Sequence, residues 1–235
     1  MEKQYRDENK YILNKVSLED LRLKISSVCE RDEHVDENGL YRIRSHYFDD
    51  YYNTAYKANE VGVEPRYKWR IRMYNGDEHF LRLERKSKLA GRIHKDSTPI
   101  SKELFLQILN DYTEIEYPTQ DALLNLFLSE MYTKLLKPNI IIQYDREPYV
   151  EHAGDVRITF DMNMCYSYEF SEFFSKELFL MPIGEKPIDL LEVKFTEFCP
   201  DHIKAIVDDG RLQRTTFSKY YLGRQKGDKY KDAII

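Results

Sequence analysis

Apolar and polar side chains alternate with a period of two over several stretches of this chain of 235 residues. The sharpest alternation lies at residues 66–88, where Arg66, Lys68, Arg70 and Arg72 share one parity and Tyr67, Trp69, Ile71 and Met73 the other. After Asn75-Gly76-Asp77, the residues Arg82, Glu84, Lys86 and Lys88 alternate against Leu81 and Leu83. Successive strand residues point to opposite faces, and Asn-Gly between alternating runs is a strong hairpin signal. The pattern therefore predicts a hairpin with an apolar face and a very basic one.

Further strands are predicted at residues 5–13, 40–48, 140–149, 156–161 and 188–195, with residues 91–98 a short strand or ordered loop. In 40–48, Arg42, Arg44 and His46 oppose Tyr41, Ile43 and Tyr47; in 188–195, Glu192 and Lys194 oppose Leu191, Val193 and Phe195. Helical spacing of apolar residues predicts helices from a Ser17 cap to about Glu30, from a Ser101 cap through Leu109, over 119–136, and over 200–209. Residues 49–58 are open between helix and loop, 162–183 read as irregular, and 217–221 as a short strand or ordered segment. A single domain over residues 1–225 is expected, followed by a polar tail over 226–235 that frays.

A basic strand face can simply be a wet surface, and charged solvent faces are common. A row of cations is nevertheless self-repelling without an anion, and the preference for Arg suits oxyanions. Five predicted strands, around Lys10, Arg70, Lys86, Arg157 and Glu192, pair a charged face with an apolar one. With apolar helices available to cover the outside, a sheet curled into a closed antiparallel β-barrel could turn the charged faces inward. Cations buried there would demand water, acids and an anion such as a triphosphate.

Composition sharpens this reading. Apolar residues make up 42% and aromatics 14% of the chain, enough for a packed core. The net charge of −5 argues against a general nucleic-acid binder, yet residues 66–95 carry ten Lys or Arg against three Asp or Glu. No GxxxxGK[ST] or GxGxxG cradle is present, so phosphate binding would rest on side chains. Cys29, Cys165 and Cys199 are scattered in no CxxC arrangement and fit a reducing compartment. No His shows ligand spacing. With no signal peptide or apolar run of bilayer length, a cytoplasmic protein without a membrane segment is expected.

A family resemblance rests on eight short motifs in order: Arg6-x-Glu8-x-Lys10-Tyr11, Tyr47-Phe48-Asp49, Arg70-Ile71-Arg72, Leu83-Glu84-x-Lys86, Tyr144-x-Arg146, Arg157-Ile158-Thr159-Phe160-Asp161, Leu191-Glu192-Val193-Lys194-Phe195 and Ser218-Lys219-Tyr220. Over residues 5–222 the chain resembles the polyphosphate polymerase domain of the vacuolar transporter chaperone (VTC) family, a branch of the CYTH-like triphosphate tunnel metalloenzymes. The resemblance implies an α+β fold, a closed antiparallel β tunnel with helices outside. It also implies transfer of the γ-phosphate of ATP to inorganic polyphosphate with a divalent metal, Mn2+ or Mg2+. Lys10, Arg70, Arg72, Lys86, Arg146, Arg157 and Lys219 match the family's phosphate-binding cations, with Lys95 a further match in an uncertain register. Glu192 matches the metal-binding glutamate and Ser218 the hydroxyl that contacts phosphate. The superfamily's hydrolases begin Glu-x-Glu-x-Lys, and Arg6 stands here at the first Glu, which favours the polymerase branch. A triphosphate hydrolase and a non-catalytic polyanion binder are the alternatives. Glu84 is expected to be a counter-charge rather than a metal contact, while Glu8 and Asp161 stay open between the two.

Overall fold

In the computed structural model, residues 5–208 and 210–232 are described. The chain runs β1 (Asp7–Leu13), α1 (Lys15–Ser26), β2 (Glu30–Arg31), β3 (Tyr41–Asp49), α2 (Thr54–Val61), β4 (Arg66–Tyr74), β5 (Leu81–Leu89) and β6 (Arg92–Ile100). It continues through α3 (Lys102–Asn110), α4 (Ala122–Lys134), β7 (Lys137–Glu151), β8 (Val156–Ser167), β9 (Met181–Pro182), β10 (Asp189–Phe195), α5 (Asp201–Val207) and α6 (Lys219–Asp232). The strands form one antiparallel sheet in the order β1-β10-β8-β7-β3-β4-β5-β6, with the two-residue β2 on β7 and β9 on β8.

Parity decides which side chains face which way. The register pairs Arg70 with Glu84, Lys86 with Lys95, Lys10 with Glu192, and Arg146 with Asp161 directly across neighbouring strands, so all lie on one face of the sheet. The opposite face buries two apolar layers. Trp69, Ile71, Met73, Leu81 and Leu83 pack with Phe105 of α3 and Phe127 and Met131 of α4. Tyr11, Ile158, Phe160, Leu191 and Val193 pack with Leu18, Leu21 and Ile25 of α1 and Ile203 of α5. Burying such side chains contributes about 1.5–3 kcal/mol each, so the apolar parity fixes the curl and leaves the charged parity on the concave side.

The expected barrel closes only in part. Among the described residues the two edges of the sheet share one backbone-bonded pair, Arg6 just before β1 and Ile93 of β6, bonded N–H to O in both directions at 2.8 and 2.9 Å. Beyond that rung, the edge of β1 is covered instead by Thr215, whose N–H donates to the Lys10 carbonyl at 2.9 Å. The result is a strongly curled sheet with a seam.

Several local expectations are corrected. Residues 217–221 are not a strand: α6 begins at Lys219 and runs past residue 225, with 233–235 of the expected tail outside the described residues, like residues 1–4. Nor do all helices lie outside the sheet. Tyr220 of α6 joins Ile43, Tyr47, Ile140, Ile142, Tyr144 and Leu190 in an apolar cluster on the concave face. Gly223 permits this approach, because a Cβ there would stand 2.6 Å from the Ile142 side chain. Residues 92–98 belong to a full strand, with Gly91 in the turn before it, 162–167 extend β8, and 54–61 form α2. The α1 cap is Asn14, whose side chain accepts from the Ser17 N–H, rather than Ser17 itself. Ser101 does cap α3.

Candidate functional site

Where the concave face is not filled by α6 it is densely charged. It gathers Lys10, Lys68, Arg70, Arg72, Lys86, Lys95, Arg146, Lys194 and Lys219 around the carboxylates Glu8, Glu84, Asp161 and Glu192. Arg70 is clamped on Glu84 at 2.6 Å and also donates to the Tyr47 hydroxyl at 3.0 Å. Lys95 reaches the other Glu84 oxygen at 2.9 Å. Arg72 stands farther from Glu84, at 3.9 Å, and donates instead to Ser45 at 3.3 Å and Tyr144 at 3.2 Å. Both Glu84 oxygens are thus ion-paired to cations of the face. Burial works against the charge of Glu84, and Arg70, Arg72 and Lys95 override that, holding its carboxyl far below the usual range.

A second group surrounds Glu192. Lys194 lies 2.7 Å from it, Arg146 3.3 Å and Lys10 3.4 Å. Arg146 also forks onto Asp161 at 2.6 and 2.7 Å, and Lys219 donates to Asp161 at 2.6 Å. Burial opposes the charge of both acids, but the surrounding cations hold Asp161 down to about 2 and Glu192 well below the carboxylate range. Lys86 is tied to Glu8 at 2.8 Å, yet burial outweighs Glu8 and lowers the ammonium to about 8.

The sequence-predicted residues divide. Lys10, Arg70, Arg72, Lys86, Lys95, Arg146, Glu192 and Lys219 converge on the concave face. Ser218 sits at the mouth of α6, accepting from the Tyr221 N–H at 3.2 Å and from Lys68 at 2.8 Å. Arg157 shares the face but lies towards one end, its side chain 53% exposed and 4.0 Å from Asp32. Arg66 and Lys88 share Glu64, whereas Lys68 reaches Ser218. Lys194 and the phenols of Tyr47, Tyr74 and Tyr144 were not singled out for a role, although parity with neighbouring motif residues carried the signal. On β3 the basic parity faces away: Arg44 donates to the Phe173 and Ser175 carbonyls, and His46 packs among Phe48, Phe105, Phe170 and Phe173.

The fold is a strongly curled antiparallel sheet with a densely charged concave face. Three solved structures share the fold across nearly their whole length. A candidate adenylate cyclase from Bacillus halodurans has a TM-score of 0.57 and 16% identity, over 93% of this chain and 96% of that one. A candidate adenylyl cyclase from Hippeastrum, described as having a dominant triphosphatase activity, gives 0.53 and 13% over 95% and 96%. A candidate adenylate cyclase from Vibrio parahaemolyticus gives 0.50 and 13% over 94% and 98%. No curated protein sequence matches. The VTC domain profile matches residues 5–226, and the chain belongs to that family.

No described helix is long and apolar enough to cross a membrane. Among the described residues no group of three or more His, Cys, Asp or Glu stands ready to hold a metal. The acids here are single carboxylates among cations. That set suits an ion such as Mg2+ or Mn2+ shared between one carboxylate and substrate phosphate oxygens, and does not suit an all-protein cage.

Proposed function

We propose that this protein transfers the γ-phosphate of ATP to a growing inorganic polyphosphate chain on the concave face. The observation that carries this reading is the charge arrangement: nine cations gathered around four carboxylates, each of the four ion-paired. Such an excess of fixed cations needs a polyanion, and Lys10, Arg70, Arg72, Lys86, Lys95, Arg146 and Lys219, with Arg157 towards one end and Ser218 at the α6 mouth, would supply its contacts.

Phosphoryl transfer depends on positioning and neutralising the phosphates more than on covalent help. An oxygen at the end of the chain attacks the γ-phosphorus in line, the bond from γ-phosphorus to the β,γ-bridging oxygen breaks, and ADP leaves. The acceptor is already anionic, so no proton need be removed. That point favours a phosphate acceptor over water, because Glu84, Asp161 and Glu192 are held so far below the usual range that they are poor bases. Arg6, which replaces the first acid of the hydrolase pattern, pairs with Asp155 at 2.8 Å and adds no carboxylate to the face. Glu192 would hold a divalent Mg2+ or Mn2+ with the donor's phosphate oxygens, and the ion would offset charge developing on the leaving group.

Incubation of the purified chain with ATP and Mn2+ tests this reading. Long chains on a gel are expected. Orthophosphate without chains would identify a hydrolase, and tight binding without turnover a polyanion-binding module.

A further inference from the structure

Lys68 differs from the other eight cations gathered around Glu8, Glu84, Asp161 and Glu192. The other eight each have a carboxylate oxygen within 4.0 Å. Among the described residues Lys68 has none, and its ammonium donates only to neutral acceptors, Asn59 of α2 at 2.6 Å and Ser218 at 2.8 Å. The charges that act on it most strongly are Lys10, Lys86, Arg66 and Arg70. Burial and those neighbours together hold the ammonium well below its ordinary range.

A half-buried lysine surrounded by like charge is a cost to the fold that holds it. The α6 N-terminus adds to the same field: Ser218 caps it, and its backbone N–H groups carry partial positive charge. The Lys68 ammonium of β4, the Asn59 amide of α2, and the Ser218 hydroxyl with the N-terminus of α6 thus meet at one point, with no carboxylate within 4.0 Å of the ammonium among the described residues. We infer that Lys68, Ser218 and Asn59 form an additional oxyanion subsite of the channel, in which Lys68 takes a phosphoryl oxygen of a bound polyphosphate chain. Lys68 then gains from the ligand the counter-charge that the other cations already have from the protein. Asn59 fixes the lysine's direction and leaves its remaining hydrogen for the ligand. This rests on the polyphosphate reading given above.

The test separates a ligand-binding lysine from a structural one by the sign of two effects. In Lys68→Met, the free protein should melt at the same temperature as wild type or higher, because a charge repelled by its neighbours has gone. Its Kd for tripolyphosphate should rise about tenfold, while Lys68→Arg stays within a few-fold of wild type. A second measurement uses the unmodified chain: limiting acetylation at pH 8 should label Lys68, and saturating tripolyphosphate should suppress that label. A lower melting temperature with unchanged Kd in Lys68→Met would overturn the inference, as would labelling indifferent to tripolyphosphate. If wild type failed to bind tripolyphosphate at all, the underlying reading would fall too. Binding that ignores Lys68 would remove this subsite alone.

Discussion

Single residues here carry costs that the fold tolerates, and two of them predict measurable behaviour. His46 is fully buried with neither ring nitrogen hydrogen-bonded, and burial lowers its pKa to about 3. The unfolded chain, with an ordinary imidazole near 6.5, therefore binds more protons below that value, and stability is lost as pH falls from about 6.5 towards 3. His46→Phe should remove this loss, leaving the variant about 2 kcal/mol more acid-resistant than wild type at pH 5, as read by urea unfolding at pH 7 and pH 5. An equal pH dependence in both proteins would contradict the assignment. Lys86 works in the other direction. With its ammonium lowered to about 8, the free protein loses that charge as pH rises through 8, so tripolyphosphate affinity should weaken up to about tenfold per pH unit above it. Lys86→Arg should keep its affinity to higher pH, and parallel pH profiles for the two proteins would argue against Lys86 as a ligand.

Elements show where sequence is readable. The hairpin of β4 and β5 is legible because its period of two, its Asn-Gly turn and its charges all agree, and the structure keeps every parity read there. The helix α6 was not legible. Its residues Lys219–Asp232 include Gly223 and Gly227 and lack an apolar stripe, since one glycine lies against Ile142 and the other against Tyr168. Tertiary packing holds this helix, and local propensity does not announce it. The inward or outward choice on β3 was equally hidden: alternation gives two faces but not which one the helices will cover. Gly223→Leu follows from this contact. Forcing a side chain into the Ile142 surface should cost about 1–3 kcal/mol and lower the melting temperature by several degrees. Because α6 carries Ser218 and Lys219 to the charged face, the same change should weaken tripolyphosphate binding, and an unaltered Kd would show that α6 does not position them.

At the scale of the whole molecule, charge and metal dependence should separate. The concave cations belong to the chain, so chelation with EDTA is expected to leave tripolyphosphate binding largely intact while abolishing chain synthesis. Glu192→Ala should reproduce the effect, lowering synthesis roughly a hundredfold or more. Synthesis that persists in the variant would remove Glu192 as the metal-holding residue. The convergence of strands on one face was legible because five strands repeated the same parity. The incomplete closure of the sheet was not, since it depends on how β1 and β6 meet, and no pattern within either strand encodes it.

The pairing of β1 with β10 carries a consequence for how the protein comes to exist. β1 finds its neighbour β10 only after all the residues between them have been made, and Lys10 meets Glu192 only then. During synthesis on the ribosome the central hairpin can form early from local contacts, whereas β1 must wait, its edge unpaired. The charged face is thus completed late, when β10 and then Ser218 and Lys219 join β1. A nascent chain stopped before β10 would expose β1 as an open strand, a natural point for chaperone capture or aggregation.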